Sequence, residues 1–308
     1  MNYFRCGGSE KVTIDGEKVR DKMDLVSMNA DNLILNKDSR VFFYVNQVVV
    51  YNDIFYVLNQ YGLYKSKGGV KWELEAEYPL QTSYNGFRAV VYDGGIHFFN
   101  VGYHYKWDGA TWTSVSTMPC NSVGSAVVLN DEIHILGGAL NPTVHYKWDG
   151  VTWTSVSTLP YNFTSSAVVL NDEIHIMGGY WGGAGYSYHY KWNGTTWTTL
   201  SSLPYADTVL AVVLNDEIHI LGGAKGSNGA YSNCNKHYKY GSGSWTKLDD
   251  IVFLKISGAT IYTSGVDKGS AFVYNNAIYV AGDSDTTGVI GNFLGYTCRI
   301  INTKVYYQ

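Results

Sequence analysis

The segment Ala126–Gly138 has the sequence AVVLNDEIHILGG, and it recurs with at most one change at 167–179 and 211–223. A second block follows each copy, reading HYKW at 145–148 and 189–192 and HYKY at 237–240. Self-similarity of this kind is the signature of repeat architectures, in which each repeat is one supersecondary unit. This repeat determines the predicted fold, and the strands, turns and variable loops of the chain are placed by reference to it.

Weaker copies of the unit lie on both sides of the three central ones. They cover Val48–Leu58 and Ala89–Asn100 upstream and Ala271–Gly282 downstream. Six units therefore start near residues 48, 89, 126, 167, 211 and 271, at spacings of 37 to 60 residues. Repeats of about this length are typical of propellers, solenoids and related arrays.

Each unit has the pattern of four short β-strands. In the central copy, Asn130-Asp131 and Asp149-Gly150 are tight hairpin turns of the type that tolerates positive φ. The strand segments around them are 126–129, 133–136, 145–148 and 152–156. No window shows a sustained helical period. Four antiparallel strands repeated six times predict an all-β fold, a six-bladed β-propeller with few exposed edges.

The repeat resembles the kelch family. The resemblance rests on the Gly-Gly doublet, the Tyr of the third strand and the Trp seven positions later, as in Tyr146 with Trp153 and Tyr190 with Trp197. It covers about residues 41–308 and implies six blades, and a seventh blade from the N-terminal segment stays open. The ring could close through a strand near Val41–Val45 or through Val305–Gln308 alone.

Composition and charge exclude several classes. The chain has 16% charged and 15% aromatic residues, whereas disordered chains are rich in charge and poor in aromatics. The net charge is −4 with scattered Lys and Arg, which disfavours nucleic acid. No apolar run reaches the ~18 residues of a membrane helix, and residues 1–20 lack the apolar core of a signal peptide. We expect neither a nucleic-acid partner nor a membrane span.

Two sets of histidines recur at equivalent positions. His97, His134, His175 and His219 lie in the second strand, where radial symmetry could gather them around a metal. Tyr56 and Tyr279 hold the same position in the outer units, and Tyr and His share an apolar body with a polar tip. This set is therefore predicted to be structural. The second set is predicted to lie on blade faces: His104, His145, His189 and His237.

The sequence shows no catalytic constellation. Carboxylate pairs such as Asp131-Glu132 would suit a glycosidase, but their identical place in successive hairpins predicts solvated turns. Neither a nucleophile elbow nor a P-loop is present. The cysteines are too far apart for a CxxC pattern, which predicts four free thiols: Cys6, Cys120, Cys234 and Cys298. We expect a protein that is not an enzyme and that holds no cofactor or metal.

The segments that vary between units indicate where function lies. Chain direction alternates, so turns such as Asn130-Asp131 and Asp149-Gly150 share one face, the turn face. The loops between second and third strands share the other, the loop face, with the connections between blades. The variable loops are Ala139–Val144, Tyr180–Tyr188, Ala224–Lys236 and Asp283–Phe293.

Aromatic residues are concentrated on the loop face. Function usually resides on loops that a rigid scaffold displays, and Tyr among Ser, Gly and Asn is typical of recognition surfaces. The predicted ligand-binding residues are Tyr180, Trp181, Tyr186, Tyr188 and Tyr231 in the loops and Tyr161, Phe163, Tyr205 and Asp207 in the connections.

Residues 1–40 do not fit the repeat and are predicted to be an attachment segment, separate from a propeller at 41–308. Cys6-Gly-Gly and Thr13-Ile-Asp-Gly-Glu are similar to the N-termini of tail proteins of phages or phage tail-like particles from Gram-positive bacteria. This resemblance implies a non-catalytic binding module of such a particle, made in the bacterial cytoplasm. The module would bind a cell-surface glycan or protein and contact other particle proteins through residues 1–40. The alternatives are a cytoplasmic kelch-type adaptor or scaffold and a glycan-active propeller enzyme.

Overall fold

A computed structural model describes residues 47–59, 62–66, 73–79, 87–222, 236–249, 253–257, 260–264, 268–283, 296–301 and 304–307. Every regular element in these ranges is a β-strand, so the all-β prediction is confirmed. None of them is a helix of the length and hydrophobicity required to cross a membrane. The attachment segment predicted at 1–40 lies outside the described residues.

The described strands form six four-stranded antiparallel sheets, each built from consecutive chain, and two small ribbons. Blade 1 contains β1 (Gln47–Tyr51), β2 (Ile54–Asn59), β3 (Gly62–Ser66) and β4 (Glu73–Ala76), and blade 2 contains β5 (Arg88–Tyr92), β6 (Gly95–Asn100), β7 (Tyr103–Trp107) and β8 (Trp112–Thr117). Blade 3 contains β9 (Ser125–Leu129), β10 (Glu132–Leu136), β11 (Val144–Trp148) and β12 (Trp153–Thr158). Blade 4 contains β13 (Ser166–Leu170), β14 (Glu173–Met177), β17 (His189–Trp192) and β18 (Trp197–Thr199), with the ribbon β15 (Tyr180–Trp181) and β16 (Ala184–Gly185) inserted. Blade 5 contains β19 (Leu210–Leu214), β20 (Glu217–Leu221), β21 (His237–Gly241) and β22 (Ser244–Lys247). The ribbon β23 (Phe253–Ser257) and β24 (Thr260–Ser264) follows, and then blade 6 with β25 (Lys268–Tyr274), β26 (Ala277–Asp283), β27 (Tyr296–Ile301) and β28 (Lys304–Tyr307).

The repeated Asn-Asp pairs make the first turn of the blades as predicted. Asn130 and Asp131 have φ values of 49° and 60°, and Leu129 pairs directly with Glu132 across the turn. Both central residues of a two-residue turn with this twist need positive φ, which Asn and Asp adopt more readily than other side chains. The same geometry recurs at 52–53, 171–172, 215–216 and 275–276.

The hydrophobic core lies between blades rather than within them. Val90 and Phe99 of blade 2, for example, form one cluster with Ile133, Ile135 and Trp148 of blade 3. One such cluster lies at each junction between neighbouring sheets, including the junction of blade 6 with blade 1. A sheet that buries both faces against its neighbours gives a radial stack, and this is the propeller that the repeats predict.

Among the described residues, the ring closes without exchange of a strand between its ends. The innermost strands contact one another in chain order, and β25 contacts β1. The outermost strand of blade 6 is β28, which pairs with β27. The C-terminal strand therefore completes blade 6, as the second of the two predicted routes has it, while Val41–Val45 lies outside the described residues.

Candidate functional site

The glycine doublets position the loop face. Gly137 has a φ of +56°, and a Cβ on it would lie 2.3 Å from the carbonyl oxygen of Phe163, in the connection that leaves the blade. The amide of Gly138 donates to the same oxygen at 2.9 Å. In blade 4, a Cβ on Gly178 would lie 2.3 Å from the carbonyl oxygen of Asp207. Glycine is required in the doublet because the connection that leaves the blade passes too close to allow a side chain. The connection therefore lies on the loop face, beside the loop that follows the doublet.

Two of the predicted binding residues are structural. The Tyr161 hydroxyl donates to the carbonyl oxygen of Gly178 at 2.8 Å, and the Tyr205 hydroxyl donates to that of Gly222. Burial raises the pKa of both phenols. The two tyrosines hold equivalent positions in successive connections, each after a Pro. Each hydroxyl thus binds the first glycine of the Gly-Gly doublet in the next blade.

Phe163 and Asp207 are also buried and do not form an open surface. Phe163 is fully buried and belongs to the cluster between blades 3 and 4. Asp207 is 1% exposed, and its carboxylate accepts from the amide of Thr208 at 2.9 Å. The prediction that these two side chains face a ligand is corrected, because each connection must pack against a glycine doublet to leave the blade.

The β15–β16 ribbon projects from blade 4 on the loop face. Tyr180 pairs with Gly185 and Trp181 with Ala184. A Cβ built on Gly182 or Gly183 at the tip would meet no described residue within 4 Å other than its chain neighbours. The base is held from both sides. The Thr164 hydroxyl donates to the carbonyl oxygen of Tyr180 at 2.9 Å, and a Cβ on Gly185 would lie 2.5 Å from that of Ala206. Tyr180 and Trp181 are both half-buried.

Four tyrosines beside the ribbon form what we call the tyrosine cluster: Tyr161, Tyr186, Tyr188 and Tyr190. Tyr186 and Tyr188 are stacked with ring centroids 5.2 Å apart, and Tyr161 lies edge-on to both at 5.8 and 5.1 Å. The amide of Tyr186 donates to Gly179, and its carbonyl accepts from the amide of Asp207. Tyr188 remains 43% exposed. The cluster therefore presents an aromatic surface on a backbone that is fixed on both sides.

The remaining predicted residue, Tyr231, lies outside the described residues, as do most of the loops 224–236 and 283–293. Of the nine predicted side chains, the structure brings three together in the tyrosine cluster: Tyr161, Tyr186 and Tyr188. Trp181 lies in the neighbouring ribbon. Tyr180 lies at the base of the same ribbon.

All eight histidines of the chain form four buried pairs. The hydrogen bonds join Nδ1 of the second-strand residue to Nε2 of the third-strand residue: His97–His104, His134–His145, His175–His189 and His219–His237, at 2.7 to 3.0 Å. The third-strand set lies on faces that pack between blades, and these four side chains are at most 2% exposed. The second-strand set is divided among separate pairs rather than gathered in a ring.

Two of the pairs are linked to the neighbouring blade through a serine. His104 Nδ1 lies 3.3 Å from the hydroxyl of Ser116, and the indole of Trp153 in blade 3 donates to this hydroxyl at 3.0 Å. His145, Ser157 and Trp197 repeat the arrangement one blade later. Burial lowers the pKa of His104 and of His145 to about 3, with a smaller contribution from the partner histidine. These imidazoles are neutral hydrogen-bonding groups of the core.

A signal for this pairing is present in the sequence. In blade 1, Tyr56 and Leu63 occupy the two histidine positions, so both histidines are lost together. Coupled loss indicates contact between the two positions, and a separate prediction for each set misses it. In the part of the chain that the structure describes, no three His, Cys, Asp or Glu side chains come close enough to hold a metal ion.

The turn face carries ion pairs that cross between strands. Glu132 pairs with Lys147, Glu173 with Lys191 and Glu217 with Lys239, all at 2.8 Å. Partly exposed pairs of this kind contribute about 0–1 kcal/mol each. The glutamates that follow the repeated turns are thus paired with lysines at the blade surface. Cys120 is a free thiol and is buried, which raises its pKa to about 11.

Comparison with known proteins establishes the fold alone. No family model matches the chain, so the kelch resemblance remains one of motifs, and no curated protein matches it. Among solved structures, the chain is similar to that of YjhT, with a TM-score of 0.70 and 16% identity over 87% of this chain and 98% of YjhT. The chain is a β-propeller.

Proposed function

We propose that the protein is a non-catalytic binding module that recognises a glycan through the loop face of blade 4. The observation that carries the proposal is the tyrosine cluster with its exposed Tyr188, beside the projecting ribbon with Trp181. Aromatic rings with a polar edge suit sugars, because the C–H face of a sugar ring packs on the aromatic face while its hydroxyls bond at the rim. A backbone held on both sides lowers the entropy cost of binding.

The non-catalytic part of the proposal is supported by how the histidines are used. Histidine is the commonest general acid or base, yet each of the eight is buried in a pair inside the blades. The described loop face is instead rich in aromatic rings, and this composition suits recognition rather than proton transfer.

We further propose that the module belongs to a phage or phage tail-like particle, made in the bacterial cytoplasm, and binds a cell-surface glycan. Residues 1–40 would contact other particle proteins. The support is the sequence of this segment and its break with the repeat. Copurification of the chain with tail proteins would test the proposal, and recovery with regulatory proteins alone would favour the adaptor alternative.

Binding to a glycan array and to bacterial cells tests the recognition site. Tyr188→Ala and Trp181→Ala are expected to weaken binding by about tenfold or more, because exposed aromatic anchors dominate such interfaces. Val151→Ala is the matched control, since Val151 is 78% exposed but lies on the turn face. Unchanged binding by both loop-face variants would rule out the site, and binding only to a protein would favour the adaptor.

A further inference from the structure

A propeller has its blades arranged around a central channel, which the innermost strands surround. One position of these strands recurs at their loop-face end. It directly precedes the apolar run of each blade, and its occupants in blades 1 to 4 are Gln47, Arg88, Ser125 and Ser166. Connections enter the innermost strands from the loop face, so this position surrounds the loop-face mouth of the central channel. Blade 6 carries Ser270 here, and blade 5 carries Leu210.

The polar side chains at this position join neighbouring blades. The Gln47 side chain donates to the carbonyl oxygen of Ala89 at 2.6 Å and accepts from its amide at 2.7 Å. Ser125 accepts from the amide of Ala167, and Ser166 donates to the carbonyl oxygen of Val209. Neutral groups therefore suffice to link the blades here, so the linkage does not require the positive charge of Arg88.

Within the described residues, the guanidinium of Arg88 makes two hydrogen bonds. Its Nε donates to the carbonyl oxygen of Gly124 at 2.6 Å and one terminal nitrogen donates to that of Phe87 at 2.8 Å, out of five N–H groups. Among the described residues, no carboxylate forms an ion pair with it. Burial lowers the pKa of Arg88 to about 10. The side chain is half-buried, so solvent still reaches it.

A partly buried cation that has no carboxylate partner among the described residues favours an anion in contact with it. Arginine suits oxyanions in particular, because its planar fork bonds two oxygens at once. We propose that Arg88 is an anion-binding residue at the loop-face mouth of the channel, which takes the oxyanion group of a ligand. A carboxylate and a phosphate share this chemistry, and the experiment separates them. The inference does not depend on the tyrosine cluster.

Titration of the ¹⁵N-labelled protein with inorganic phosphate and with acetate tests the inference. The side-chain Nε–H signal of Arg88 and the amide signals of Gly124 and Ala89 are expected to shift saturably. A response to phosphate alone assigns a phosphate-type ligand, and a response to acetate alone assigns a carboxylate. If neither anion shifts these signals in the wild-type protein, the inference is overturned, whatever the variants do.

Two variants distinguish the charge from the blade contact. Arg88→Gln, which copies the neutral residue of blade 1, is expected to weaken the response of Gly124 and Ala89 at least about tenfold. Arg88→Lys keeps the charge and is expected to bind within about tenfold of wild type. The matched control Lys147→Gln removes a cation from the blade surface and is expected to change nothing. Equal loss in the two Arg88 variants, or an unchanged response in a folded Arg88→Gln, contradicts the assignment.

Discussion

At the scale of single residues, most of the unusual backbone conformations are carried by Gly, Asn or Asp, and Val101 is an exception. It has a φ of 41° in the tight turn between β6 and β7, where Asn100 pairs with Tyr103. A β-branched side chain in the left-handed region crowds the following carbonyl, at a cost of about 1–2 kcal/mol. Val101 is 38% exposed, so burial compensates for little of this strain.

Val101→Asn is therefore expected to raise the free energy of unfolding by about 1 kcal/mol, since Asn tolerates the left-handed region. Urea denaturation measures the change. Val151→Asn serves as the control, because Val151 is also exposed but does not have a positive φ. A destabilised Val101→Asn protein would mean that the valine makes contacts worth more than the strain.

At the scale of strands and turns, the predictions that succeeded rest on local chemistry. The Asn130-Asp131 turn and the Gly137-Gly138 doublet mark strand ends through the backbone angles that they allow, and these marks recur along the chain. The predictions that failed concern contacts between distant segments. The burial of Phe163 depends on a connection that crosses the doublet of the preceding blade, and no local pattern encodes that path. Tyr161 and Tyr205 did carry a signal, since recognition residues rarely repeat at equivalent positions.

The paired histidines make the stability of the strands depend on pH. In the folded protein the pKa of His134 is lowered to about 4 and that of His145 to about 3, from an unfolded value of 6.5. The unfolded chain therefore binds more protons below pH 6.5. The stabilising contribution is fully present above that pH and is lost progressively as the pH falls toward 4 and 3. Each neutral histidine gives a slope of about 1.4 kcal/mol per pH unit.

Replacing the pair of blade 3 by the residues of blade 1, His134→Tyr with His145→Leu, tests this dependence. The double variant is expected to lose less stability than the wild type between pH 6.5 and 4, because two proton-binding groups of the unfolded state are gone. Denaturation at a series of pH values measures the two slopes. As a control, Val151→Ala keeps all four pairs and changes no ionisable group, so it is expected to retain the wild-type slope. Identical slopes for the double variant and the wild type would contradict the assignment of neutral pairs.

At the scale of the whole molecule, the ring is closed by side-chain packing between blades 6 and 1. Phe55 of β2 contacts Phe272, Tyr274 and Tyr279 with ring centroids 4.9 to 5.7 Å apart. Each blade is built from its own stretch of chain, and no described strand of one end is held in the sheet of the other. This aromatic group carries the role that a shared strand would otherwise have.

Phe55→Ala is expected to lower the free energy of unfolding by about 3–5 kcal/mol, through lost burial and the cavity that remains. Hydrogen exchange followed by mass spectrometry should show faster exchange first in blades 1 and 6. Ile133→Ala, at the junction of blades 2 and 3, is the comparison and should raise exchange there instead. Uniform acceleration around the ring in both variants would mean that closure is not a separate weak point.

The way in which the ribbon of blade 4 is held has a consequence for protein engineering. The amide of Tyr186 donates to the carbonyl oxygen of Gly179 at 2.8 Å, so the chain between them begins and ends at one closed point of the scaffold. The residues inside this closure contribute no strand to the four-stranded sheet of blade 4. A foreign peptide spliced between Gly179 and Tyr186 would therefore be displayed with fixed ends, while the propeller beneath it keeps its own contacts.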